Sequence, residues 1–300
     1  MASHCVVAVG SIALDRLEFS DGTQGETLGG SATYFTLAAT LFAPVRLVGI
    51  VGTDFPREGM DLLKERAASV DDLQVVEGKT FRWGGRYHAD RENRTTLYTE
   101  LGVFEGFRPR LSPVSRRCPF VFLGNIQPSL QLEVLGQAEH RDRTVVSDTM
   151  NLWISRARED LDRVLKGTDI LLINDEEAHL LTGVDDIVAS ARTIMQMGPR
   201  AVVVKRGGQG SLLVDKKEAV KVGAYPVPAV VDPTGAGDSF AGGFVGTLAG
   251  GGSLQEAAVA GSAVASYCVE GFGIEGLASV TLEEVKSRME RVRETVTEKT

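Results

Sequence analysis

The residues best placed to do chemistry lie in one stretch, Val230-Val231-Asp232-Pro233-Thr234-Gly235-Ala236-Gly237-Asp238-Ser239-Phe240-Ala241-Gly242-Gly243-Phe244. An apolar run feeds a glycine-rich turn, which opens directly into a helix of small residues. The backbone N–H groups of Gly235, Ala236 and Gly237 would converge at the positive end of that helix and form an anion cradle. A carboxylate beside such a cradle, Asp238, would repel an anion held there only for binding. It is useful if it takes the proton of a hydroxyl that attacks a phosphorus held over the cradle. A bare Gly-x-Gly-Asp would equally suit a tight turn followed by a carboxylate on the helix dipole, so the argument rests on the length of the pattern.

The full pattern resembles the second signature of the ribokinase-like (PfkB) carbohydrate kinase family, Asp-x-Thr-Gly-Ala-Gly-Asp continued by a small-residue helix. Other landmarks occur in the family's order across nearly the whole chain. Gly10-Ser11-Ile12-Ala13-Leu14-Asp15 resembles the family's opening, in which the aspartate binds substrate hydroxyls. Leu28-Gly29-Gly30-Ser31-Ala32 resembles its diglycine motif, where backbone approaches the acceptor closely. Asn174-Asp175-Glu176-Glu177 resembles its Asn-x-x-Glu motif, and Lys205-Arg206-Gly207-Gly208-Gln209-Gly210 occupies the place of the turn along the nucleotide. One departure stands out: the asparagine that follows the diglycine motif in many members is replaced here by Thr33-Tyr34. Ribose therefore does not transfer as the substrate. Segment 262–271 and Pro233 resemble nucleoside and adenosine kinases, but on the nucleotide side.

The resemblance implies an ATP-dependent kinase phosphorylating a hydroxyl of a small sugar or nucleoside by in-line transfer. Asp238 is then the catalytic base, and Gly235, Ala236 and Gly237 the anion hole. Asp15, Gly29, Gly30 and Ser31 bind substrate, while Asn174, Lys205, Gly207, Gly210 and Thr234 bind the nucleotide. Glu177 would hold Mg²⁺, directly or through water, and Asp232 with backbone oxygens of 269–273 a monovalent cation such as K⁺. A homodimer paired through a lid is a further implication. The alternative is a non-catalytic sugar- or nucleotide-sensing relative, which would be expected to lose the base or the glycines; this chain keeps both. A phosphate-binding hydrolase or synthase of another α/β family would not need Asn174, Glu177 and the diglycine motif together.

Other motifs carry less. Gly78-Lys79-Thr80 ends like a P-loop, but Leu73 stands where the first glycine is required. Gly207 and Gly210 are too sparse for a dinucleotide fingerprint. Asp148 and Asn151 follow a strand, where the ligand crevice of a parallel sheet opens; a turn and helix cap would explain them equally well. Trp153 reads as core. Cys5, Cys118 and Cys268 are odd in number and far apart, so no disulfide framework is expected and Cys118 and Cys268 read as packing residues.

The elements that must position these residues follow from the apolar pattern. Short β-branched runs at 6–9, 46–51, 120–123, 144–147, 170–173 and 201–205 predict strands buried on both faces, hence a parallel sheet flanked by helices. Helices are predicted at 33–42, 58–68, 176–182, 186–197, 239–248 and 254–269. Segments 14–26 and 80–100 are polar and alternating, with turn signals at Gly84-Gly85 and Asp90–Asn93. They predict a small separate sheet, a lid of about 12–28 and 80–100 inserted in the α/β core. The expected architecture is α/β: a single ribokinase-like domain over 1–300 with three layers, a central mostly parallel sheet and a β-sheet lid. With 300 residues, 43% of them hydrophobic, the chain can bury a sizeable core. A net charge of −8 without basic runs excludes nucleic acid and anionic membranes as expected partners. No apolar run reaches the roughly 20 residues of a spanning helix, and the apolar start at Val6 lacks a cationic n-region, so a cytoplasmic location is expected.

Overall fold

The computed structural model describes residues 4–89 and 94–299. Apolar runs that can be buried on both faces form the centre of a ten-stranded sheet. In chain order the strands are β1 (Val6–Val9), β2 (Ala13–Phe19), β3 (Gln24–Gly29), β4 (Val45–Gly52), β5 (Ser69–Val76), β6 (Phe81–Tyr87) and β7 (Arg94–Glu100). They continue as β8 (Phe120–Leu123), β9 (Thr144–Asp148), β10 (Ile170–Asn174), β11 (Ala201–Lys205), β12 (Ser211–Asp215), β13 (Ala219–Val222) and β14 (Thr297–Lys299). The large sheet runs β14-β13-β12-β11-β10-β9-β8-β1-β4-β5. From β11 to β5 every pairing is parallel, and β12, β13 and β14 add an antiparallel edge.

The strand order places the site. The chain leaves β1 towards β4 and β5 on one side, then returns to β8 and continues through β9, β10 and β11 on the other. Neighbouring connections therefore diverge beyond the carboxyl ends of β1 and β8, which is where ligands bind in open parallel sheets.

Helices cover both faces. On one lie α1 (Ser31–Ala39) and α2 (Arg57–Arg66); the other is covered by α3 (Pro128–Gln137), α4 (Asn151–Arg156), α5 (Arg158–Lys166), α6 (Asp175–Thr182) and α7 (Ile187–Met195). The first face is completed by α8 (Ala236–Ala249), α9 (Leu254–Glu270), α10 (Glu275–Ala278) and α11 (Leu282–Arg293). Alternation along each strand divides the core between the two layers: Val6 and Ala8 pack with α1 and α8, Val7 and Val9 with α3. Glycines seat α8 deeply, since a Cβ on Gly242 would stand 2.5 Å from Phe35 O and one on Gly243 2.9 Å from Ala260 O.

The two polar segments form a separate four-stranded sheet, β3-β2-β6-β7. Its hairpin pairs are antiparallel and its central pair, β2 with β6, is parallel. The turn expected at Asp90–Asn93 lies outside the described residues. Every predicted strand and helix is present within a few residues. β5, β12 to β14, α3 to α5, α10 and α11 were not anticipated, because they are short, mixed or strongly charged on their outer faces. Among the described residues no helix is long and apolar enough to cross a membrane.

The cysteines require a correction. Cys5 and Cys118, expected to be unpaired, form a disulfide across 113 residues of sequence. Strand register brings them together: Val6 pairs with Phe120 in the parallel β1–β8 ladder, so the residues entering the two strands are neighbours. Only Cys268 is a free thiol, buried beneath the cradle with Sγ 3.3 Å from Thr234 O. Cross-linking so long a loop is expected to contribute about 2–4 kcal/mol of stability. Urea unfolding of the parent with and without dithiothreitol, beside Cys118→Ala, measures it: reductant should lower the parent to the level of the variant. Identical parent curves under both conditions would mean that the bridge does not form in solution.

Candidate active site

Beyond the carboxyl ends of the parallel strands opens a cavity of about 1350 Å³. That exceeds the ~300–1,000 Å³ of a usual small-molecule pocket and leaves room for two substrates side by side. Its floor is the start of α8. Gly235 caps the helix at φ 76°, and a Cβ there would stand 2.3 Å from the Tyr34 ring, so glycine is required on both counts. The amides of Gly235, Gly237 and Asp238 find no acceptor among the described residues, whereas Ala236 donates to Pro233 O at 3.2 Å. The amides left free for an anion are thus those of Gly235, Gly237 and Asp238, while that of Ala236, expected among them, closes the turn.

Asp238 lines the cavity from the first turn of α8. Burial pushes its carboxyl up to about 7, with Asp148 adding to the rise while Lys205 and Arg94 oppose it. Lys205, at the end of β11, puts its ammonium 2.9 Å from Asp148 Oδ2, at the end of β9. Burial alone would depress that ammonium, but Asp148 and Glu177 more than offset it and hold its pKa above the ordinary value. A Cβ on Gly237 would lie 3.2 Å from Lys205 Nζ, so the ammonium stands directly over the cradle.

Asn174 and Glu177 form a capping box on α6: Asn174 Oδ1 accepts the Glu177 amide at 2.7 Å, and Glu177 Oε2 accepts the Asn174 amide at 3.0 Å. Both also line the cavity. Burial raises the Glu177 carboxyl to about 7, against the pull of Lys205. Gly207 lies on the cavity wall. Gly210 does not; it closes the turn behind, at φ 84°, with its O accepting the Arg206 amide at 2.8 Å.

On the opposite side Asp15 is buried at the end nearest β1, raised to about 7 first by burial and then by Asp232 and Asp238, while accepting the Gly30 amide. Gly30 and Ser31 line the cavity. Gly29 acts differently, since a Cβ there would fall 2.0 Å from Asp15 Oδ2 and the glycine makes room for the carboxylate. Tyr34 packs its ring under Gly235, and its hydroxyl has no hydrogen-bond partner among the described residues. Asp232 is fully buried, its oxygens accepting the amides of Thr234 at 2.9 Å and Gly273 at 2.8 Å, which ties the loop before the cradle to the loop after α9. Thr234 Oγ1 in turn meets Tyr87 Oη at 2.9 Å.

Arg94 escaped the sequence reading, Trp153 was placed elsewhere by it, and Asp148 stood there with two readings open. Arg94, at the start of β7, lies 5.7 Å from the centre of the Trp83 ring, and its charge reaches Asp15, Glu177 and Asp238. Trp153, expected in the core, lines the cavity and donates its indole N–H to Asn125 Oδ1 at 2.8 Å. Asp148 is not the cap of α4, whose N-cap is Met150. The lone signal for these residues was their position just after a strand, or in the small sheet.

Among the described residues no three His, Cys, Asp or Glu side chains gather as a metal site of their own. Asp148, Glu177 and Asp238 stand around the cradle with Lys205, and the charge of Arg94 also reaches Glu177 and Asp238; a polyphosphate brought there would add negative charge that a divalent cation could offset. That donor set fits a divalent cation shared with phosphate oxygens.

The model of the family described as pfkB family carbohydrate kinase matches residues 3–278. A cytidine kinase of Thermococcus kodakarensis is 32% identical over 256 residues, spanning 84% of this chain and 91% of that protein. The crystal structure of Methanocaldococcus jannaschii nucleoside kinase, an archaeal member of the ribokinase family, matches with a TM-score of 0.80 at 22% identity, covering 96% of this chain and 98% of that one. Arabidopsis thaliana ribokinase, solved with ribose and ATP, matches with a TM-score of 0.80 at 22% identity over 97% and 99% of the two chains. At these identities the two structures speak for the fold.

Burial of Asp238 has a thermodynamic consequence. Its folded pKa of about 7 lies above the ~3.9 of an unfolded aspartate, so the protonated form favours folding and that contribution is lost as pH rises through 7. Asp238→Asn should therefore melt higher than the parent at pH 8, with the difference shrinking as pH falls below 7, still present at pH 5 and gone only by about pH 4. Melting curves across that range test it, and equal values at pH 8 would contradict the burial of the charge.

Proposed function

The chain belongs to the pfkB family of carbohydrate kinases and is a phosphotransferase with a hydroxyl acceptor; on that premise we propose that it transfers the γ-phosphoryl group of ATP to a sugar hydroxyl of a nucleoside, with Asp238 as general base. The observation that carries the proposal is the pairing of a half-buried carboxylate with free helix-start amides on one cavity wall. A nucleoside is favoured over a bare sugar by the size of the cavity and by Phe81, Trp83 and Phe104 along it, which offer flat apolar surface to a base. The full-length similarity to a cytidine kinase supports the same class.

In this reading the triphosphate lies along the ends of β10 and β11, with its terminal phosphoryl group on the amides of Gly235, Gly237 and Asp238. The acceptor hydroxyl sits between Asp238 and the phosphorus, oriented by Asp15 and the Gly30 backbone. As the new O–P bond forms, the proton passes to Asp238, and the bond to the leaving oxygen breaks in line. Preorganised amides and the Lys205 ammonium stabilise charge on the equatorial oxygens. A divalent cation bound with the nucleotide would neutralise phosphate charge, held through water by Glu177. The small sheet acts as a lid that excludes water and so suppresses hydrolysis of ATP.

The primary test is phosphotransfer from ATP to a panel of nucleosides and free sugars; turnover only with sugars would overturn the acceptor assignment. Asp238→Asn should lower kcat by at least ~10²-fold and leave acceptor binding nearly unchanged. Asp15→Ala should do the reverse, raising acceptor KM by the equivalent of about 1–3 kcal/mol as a substrate hydroxyl loses its buried partner. The two kinetic signatures exchanged, or a parent-like Asp238→Asn, would show the roles to be misassigned.

The pH profile supplies a separate check. The base must be deprotonated to accept a proton, so kcat/KM for the acceptor should rise as pH passes through about 7 and stay high above it. A rate that falls over that interval would exclude Asp238 as the base.

A further inference from the structure

Three carboxylates surround one ammonium at the end of β11, and only one of them is fixed to it. Asp148 is 5% exposed, with Oδ2 at 2.9 Å from Lys205 Nζ and Oδ1 accepting the Thr149 amide at 2.9 Å. Both oxygens are thus committed, and the carboxylate cannot turn without losing a bond. The Lys205 side chain crosses the end of β10 to reach it, since Leu172 of β10 pairs with Asp148 on one flank and Asn174 with Lys205 on the other. At that extension the ammonium stands over Gly237.

A lysine head is a compact charge on a four-carbon stem with many rotamers. Without a fixed partner the nearest remaining carboxylates, Glu177 and Asp238, would compete for it. An ammonium drawn onto Asp238 would block the oxygen that has to accept the proton. We propose that Asp148 is a positioning residue for the transfer: it holds the Lys205 ammonium over Gly237, where the ammonium meets the phosphoryl group in transit, and keeps it off Asp238. This inference rests on the kinase reading above. Asp148 acts through Lys205 and touches no reacting atom.

A double-mutant cycle read in kcat tests it. Parent, Asp148→Ala, Asp148→Asn, Lys205→Met and the Asp148→Ala/Lys205→Met double variant are compared at saturating ATP and acceptor. We expect Lys205→Met to lower kcat by about 10²-fold and Asp148→Ala by about 10-fold, with the double variant within about two-fold of Lys205→Met alone. Asp148→Asn keeps an oxygen that accepts from the ammonium and should recover part of the loss, while acceptor KM stays within about two-fold throughout. If Asp148→Ala does not fold, the nearly isosteric Asp148→Asn carries the cycle. Multiplying losses in the double variant, or a parent-like kcat for Asp148→Ala, would overturn the inference while leaving the kinase reading intact. A parent without phosphotransfer to any acceptor would overturn both.

Discussion

On the kinase reading proposed above, Asp238 is a carboxylate base standing where an anion is to bind, and the arrangement around α8 bears on that conflict. Burial keeps Asp238 near pKa 7, so near neutrality it is held between proton acceptor and neutral acid. Lys205, drawn towards Asp148, places its positive charge beside the start of α8. The carboxylates at Asp15 and Glu177 are raised by burial in the same way, so the cavity bears less negative charge than its composition suggests. An acidic protein can in this way present a phosphate site without a basic patch.

That electrostatic arrangement works only if the helix start cannot retreat, and packing ensures this. α8 lies between α1 and α9 with glycines at the contacts, so backbone meets backbone and the helix has no room to shift. Tyr34 of α1 closes the space beneath Gly235, fixing the one residue of the cradle with positive φ. The residue that departs from the common family pattern is thereby a structural support for the cradle as well as part of the cavity wall.

Much of this was legible in the chain. The strands that carry the site are continuous apolar runs, and the glycines and Asp238 sit in one contiguous motif, so the local pattern and the candidate residues could be read directly. What stayed hidden depends on register between distant segments. The Cys5–Cys118 bridge exists because β1 and β8 are neighbours, and the Asp148–Lys205 pair because β9 and β11 flank β10. Gly29 and Gly210 were read as ligand contacts because a glycine shows only that backbone comes close to something. The partner was the Asp15 carboxylate in one case and Val222 in the other. Asn174 and Glu177 show the reverse ambiguity, for the same two side chains both cap α6 and face the cavity.

The small sheet is connected to the cradle more closely than an inserted flap would need to be. Tyr87 of β6 stacks on Phe19 at 5.5 Å and puts its hydroxyl on Thr234, the residue before Gly235. Phe19 also meets Phe272 edge-on at 6.2 Å, and the next residue, Gly273, donates to Asp232, whose other oxygen holds Thr234. The contacts form a closed ring through sheet, loop and cradle, with Gly25 and Thr27 of β3 packed on the same loop. A displacement of the small sheet must therefore break the Tyr87–Thr234 bond or carry Thr234 with it, and Thr234 sets the entry into Gly235. Sheet position and cradle geometry are thus not independent: the element that would cover the acceptor also bears on the amides that would hold the phosphate.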